Sequence, residues 1–197
     1  MSYPQAAPMP GAPYPVPPPG RAASRIRKPG ILAALPIVTA LAALSGAIGS
    51  FLVFSGGKDI ADENVRNAVD SNPEAVGLQA GVTSADIKEL AGGPIWDSVV
   101  TEWQGTMEAR AIIAMVFGVG LLLFALFVRK AAVWSRVMIT IVALLSAAFP
   151  HLLVLSDAPP TSLRVTSTGA ILLGLVALVM CWLPPVNRYR RESRASV

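Results

Sequence analysis

The stretch ILAALPIVTALAALSGAIGSFLVF, residues 31–54, decides the fold. It holds no charged residue, and as a helix rising 1.5 Å per residue it is long enough to cross a hydrocarbon core of about 30 Å. Arg21, Arg25, Arg27 and Lys28 stand just before it. The run exceeds the roughly 7–15 apolar residues of a cleavable signal, so it reads as a retained first span. A spanning segment with a basic N-terminal flank predicts that the flank stays in the cytoplasm.

Composition agrees with a lipid-embedded chain. Of 197 residues, 53% are hydrophobic and 14% charged, against about 25% charged in a soluble domain. Mean hydropathy is +0.57. The net charge of +4 conceals a strong segregation of sign, which reads as a topology signal and not as a nucleic-acid surface. A single cysteine, Cys181, excludes an internal disulfide.

Working outward, residues 1–30 contain nine of the 17 prolines together with Tyr3 and Tyr14. Too few large apolar residues are present to form a core, so a disordered cytoplasmic tail with polyproline II character is expected. Pro15-Val16-Pro17-Pro18-Pro19 is either a docking strip for an aromatic groove or part of a flexible leader. Within the first span, Ala42, Gly46 and Ser50 form a row of small residues at spacing four, flanked by a second row, Thr39, Ala43 and Ala47. Such rows let helix backbones approach closely in lipid. Packing against the chain's own other spans is the first reading and a homo-oligomer face the second. Gly46 is the best single candidate for a close crossing.

Residues 55–108 are the one long polar segment, with ten of the twelve acids. Gly56-Gly57 is expected to release this segment from the first span. Residues 59–72 read as a helix stopped by Asn72-Pro73. Thr83-Ser84-Ala85-Asp86 resembles a capping box opening a short helix to Ala91. From Pro94, the spacing of Ile95, Val99, Val100 and Trp103 predicts a helix that runs on into the second span.

Three more spans follow, at 109–128, 131–155 and 165–183. The very short turn between the second and third makes them an antiparallel hairpin. Pro184-Pro185 ends the fourth, and residues 184–197 read as a basic cytoplasmic tail. With both termini inside, the inner segments hold 11 of 16 basic residues and one acid, Glu192. The outer segments hold five basic residues and eleven acids. This is the positive-inside bias. Trp134 and Trp182 fall at the inner boundary with Arg188, Arg190 and Arg191, where they are expected to act as interface anchors. Arg136, a turn inside the third span, is expected to snorkel to that boundary. The reading is therefore an all-α polytopic membrane protein: a four-helix bundle in the cell membrane, with residues 55–108 as an extracytoplasmic helical segment.

Groups that carry chemistry are scarce. No acid or base sits at the centre of a span, which argues against proton relays and charged ion pathways. His151, beside Pro150 near the outer end of the third span, is a candidate pH-sensitive group or an ordinary interfacial histidine. One histidine and one cysteine at opposite faces do not make a zinc site or a Cys-His pair. Cys181 reads as a packing residue or an acylation site. No phosphate-binding loop, nucleophile elbow or dinucleotide fingerprint is present. Catalytic, cofactor and metal residues are accordingly not expected.

The chain resembles a loose group of small four-span membrane proteins found in actinobacterial genomes and their prophages. The resemblance rests on the tail MSYPQAAPMPGAPYPVPPPG, the Thr-Ser-x-Asp-Ile type helix, three closely spaced spans, and the ending Trp182-Leu183-Pro184-Pro185-Val186-Asn187-Arg188-Tyr189. It implies no functional residues. Some similar prophage proteins act in phage exclusion, so the resemblance implies a phage-defence effector as an alternative. The residues themselves favour a non-enzymatic accessory or scaffold protein, with membrane lipid and another membrane or envelope protein as partners and no nucleic acid. A small channel or holin-like pore would need a polar stripe. Thr39, Ser45, Ser50, Thr140 and Ser146 are too few to make one.

Overall fold

The structure is a computed structural model that describes residues 29–128 and 133–195. The proline-rich tail and the turn at 129–132 lie outside the described residues. Seven α-helices account for most of the chain, and no strand occurs among the described residues. They are α1 (Gly30–Ser71), α2 (Ser84–Ala91), α3 (Gly93–Val128), α4 (Val133–Ser146), α5 (Leu152–Ser156), α6 (Thr161–Trp182) and α7 (Pro184–Ala195). A π-helical turn, Ala147–His151, joins α4 to α5, so that Val133–Ser156 forms one passage.

Four helices are long and apolar enough to cross a membrane: α1, α3, the α4–α5 passage and α6. No more than 33% of each apolar stretch is buried within the protein. Ile37, Phe51, Val116, Leu126, Phe149, Leu172 and Val179 all point outward. So much contiguous apolar surface is incompatible with water and is satisfied by acyl chains. The chain is an all-α multi-pass membrane protein.

α1 is the axis of the bundle. It packs most extensively on α3 and α6, while α4 closes the far side against α3 and α6. Small residues permit this. Thr39, Ala42, Ala43, Gly46 and Ser50 are all buried. The Ser50 hydroxyl donates to the carbonyls of Gly46 and Ala111, each at 3.0 Å, and Ser45 donates to Thr166 O at 2.8 Å. Thr39 donates to Leu35 O and Thr140 to Arg136 O. These hydroxyls spend their bonds on helix carbonyls.

Gly56-Gly57 marks the change from span to polar segment by a kink between two helices, with no linker. Helix α1 continues through it with one non-helical residue, Gly57, at φ 48°, ψ −125°. A side chain would be strained there, whereas glycine is not. The helix resumes at residue 58, kinked, and runs antiparallel to the first half of α3 with α2 laid beside them. These three pieces form a headpiece on one end of the bundle. Helix α3 shows no break at Gly105, so headpiece and span share one rod.

At the opposite end the basic C-terminal segment is helical. Leu183 (φ −62°, ψ 144°) turns the chain out of α6 ahead of Pro184. Helix α7 then folds back, burying Val186 against Leu32 at the start of α1. Span 4 begins earlier than its apolar run suggests, at Thr161, because Pro160 starts the helix.

Candidate docking groove

The headpiece is built on two tryptophans. Trp96 Nε1 donates to Asp62 Oδ1 at 2.6 Å, and Trp103 Nε1 donates to Asn64 Oδ1 at 2.5 Å. Each indole is thereby tied from α3 across to α1. Asn64 is buried, and Asp62 is further paired with Arg66. A buried indole finds a polar partner when its ring is packed. Here the partner also fixes which way the ring faces.

Helix α2 is held against this pair by its N-terminus. Thr83 N and Oγ1 donate to Asp86 Oδ2 at 2.9 and 2.7 Å, and Asp86 N donates back to Thr83 Oγ1 at 3.3 Å. The capping box expected from the sequence is present. Those hydrogen bonds hold the exposed Asp86 carboxyl below its ordinary value of 3.8, the side-chain bond contributing most. Ser84 N and Oγ donate to Asp70 at 2.7 and 3.0 Å, anchoring α2 to the end of α1.

Between these elements lies an apolar groove of about 320 Å³. Helix α1 contributes Val65, Ala68 and Val69; the loop adds Val76 and Leu78; α2 adds Ile87 and Ala91. The wall from α3 is Ile95, Trp96, Val99 and Trp103. Ile95, Val99 and Val76 are exposed, at 57%, 44% and 48%. The volume falls at the small end of ligand sites, about 300–1,000 Å³. The headpiece that carries the groove is acidic, and Glu74, Glu89 and Glu102 are among its exposed side chains. Lys88 lies over the Trp96 ring, 6.0 Å from its centre.

The residues singled out from the sequence lie elsewhere. His151 is buried on the π turn, its imidazole against Gly46, where it lines a water-sized cavity of about 30 Å³ with Ser50, Arg110 and Ser167. Arg110 also pairs with Asp157, tying α3 to the end of α5. Arg136 does not snorkel. It is 1% exposed, stacked over Trp182 at 4.9 Å, and donates to Asn187 Oδ1 of α7 at 2.7 Å. Its Nε is buried without a hydrogen-bond partner.

Trp182 in turn donates to Thr140 Oγ1 at 3.0 Å. Trp134 meets Phe124 and Phe127 edge-on at 5.3 and 6.4 Å. Both tryptophans are partly exposed at the end where α7 presents Arg188, Arg190 and Arg191. Cys181 is fully buried in the bundle core. No group of three or more metal-ligating side chains occurs among the described residues.

Sequence reasoning missed Asp62, Asn64, Trp96 and Trp103 as a unit. The helical spacing of Ile95, Val99 and Trp103 was the signal for the groove wall. Nothing in the chain pairs Trp96 with a residue 34 positions earlier. Comparison with protein-family models, curated proteins and solved structures returns no match.

Proposed function

We propose that this protein is a non-enzymatic accessory or scaffold subunit of the cell membrane, which holds another envelope protein in the groove of its headpiece. The observation that carries this reading is the groove itself: apolar, open, and walled by two indoles whose orientation is fixed before anything binds. Preorganised aromatic walls of this kind are what protein anchors seat against. The charge segregation supports a headpiece outside the cytoplasm with both termini inside.

The size of the groove bounds its strength. Burying two aliphatic side chains yields about 3–6 kcal/mol before the cost of association is met. Such a contact is weak between freely diffusing molecules. It becomes useful between partners already confined to one membrane, because confinement raises their effective concentration.

The test is a photocrosslinking residue in place of Ile95, at native expression. A reproducible protein adduct, absent when the crosslinker replaces the lipid-facing Val116, is the expected result. Adducts with lipid alone would overturn the reading. A reporter fused after Val197 should stay cytoplasmic; its recovery outside the cell would reverse the topology.

A further inference from the structure

The groove has a direction. Its α3 wall runs from Ile95 to Trp103, which at 1.5 Å per residue is about 12 Å or two helical turns. The Trp103 end lies nearest the lipid-spanning part of α3, and the Ile95 end lies farthest from it. The groove therefore runs along the continuation of a spanning helix.

Charge selects among occupants. Residues 58–108 carry ten acids and three bases, a net charge of −7. A second copy of this chain would bring the same charge to the same place, and like charges across an interface are repelled. The start of α1 and helix α7 lie together at the other end of the bundle, away from the groove.

Resting on the reading above, we propose that the groove takes the apolar face of a basic juxtamembrane helix, one that continues a spanning helix of a second membrane protein. Two turns of such a helix present anchors at i and i+3 or i+4. These would lie between the indole of Trp103 and the side chains of Ile95 and Val99. Lysines or arginines on its flanks would meet the net negative charge of the headpiece. The helix would run alongside α3, as a groove of this orientation requires.

The full chain, carrying benzoylphenylalanine in place of Val99, is reconstituted in phosphatidylcholine nanodiscs with designed single-span peptides. Their juxtamembrane extensions are Leu–Lys, Leu–Glu or Gly–Ser. The expected result is at least tenfold more adduct with Leu–Lys than with Leu–Glu, a gap that narrows at 0.5 M salt. Ile95→Lys, at an exposed position, should narrow the same gap by repelling Leu–Lys. Equal adducts with Leu–Lys and Leu–Glu, both above Gly–Ser, would overturn the basic partner and leave the groove reading standing. No adduct above Gly–Ser would remove both. Equal capture of a Leu–Lys helix lacking its span would overturn the juxtamembrane assignment alone.

Discussion

A β-carbon placed on Gly46 would lie 3.3 Å from Nε2 of His151. The centre of the bundle is thus closed by an imidazole resting on bare backbone, carried on the π turn that contains Pro150. Proline withholds a backbone donor, and the wider turn accommodates the loss.

Gly46→Val should therefore overpack this contact and cost about 1–3 kcal/mol. Thermal unfolding in detergent would read it as a lowered midpoint. Adding His151→Ala should return part of the loss, because the two positions touch and their effects are not additive. Additive losses would mean that Gly46 matters for some other crossing.

Trp103→Phe keeps the groove wall and removes the indole donor. It leaves the buried Asn64 carbonyl oxygen without that donor, a cost of about 1–3 kcal/mol. Hydrogen exchange should rise over 58–71 and stay unchanged across 111–125. Asn64→Leu with Trp103→Phe should be milder than either change alone, since both polar partners are then gone.

Arg136 and Asn187 predict an asymmetry. Asn187→Leu withdraws a hydrogen bond from a buried cation and should loosen α7, exposing Arg188 and Arg190 to trypsin. Arg136→Met removes the buried charge together with its orphaned Nε, and such replacements are often neutral or stabilising. Trypsin cleavage in α7 should rise severalfold in the first variant and less in the second.

The Thr83–Asp86 box predicts an acid limit for α2. Asp86 titrates below 3.8 in the folded protein because Thr83 hydrogen-bonds its charged form. A depressed carboxyl stabilises the fold above its unfolded value, and the contribution is lost as pH falls through the folded value. Unfolding of α2 should thus begin below pH 3.8, followed by the backbone shifts of residues 83–91. Thr83→Ala should return the Asp86 titration toward 3.8.

The four spans and the capping box were legible because each is written in contiguous residues. An uncharged run of spanning length, or Thr83 three positions before Asp86, requires no knowledge of the rest of the fold. The Ala42–Gly46–Ser50 row was also readable as a packing stripe, and its buried position on α1 follows from small side chains alone. What was hidden depended on distant partners. Trp103 and Asn64 are 39 residues apart, and either alone looks like an ordinary boundary residue. Arg136 reads as a snorkelling side chain until α7 folds back with Asn187 to cover it. Gly57 reads as a break because glycine pairs usually end helices. Packing of residues 58–71 on α3 keeps the chain helical after a single deviant residue.

Helix α3 has 36 residues without interruption, about 54 Å of rod for a core of about 30 Å. Ten residues before its C-terminal end, the position of Gly118 passes within 3.6 Å of the Ala43 carbonyl, counted from the β-carbon it lacks. At that crossing no side chain of α3 stands between the two helices. One rod carries both the exposed Ile95 of the groove wall and the buried Val128 of the core, so the two ends share a single tilt.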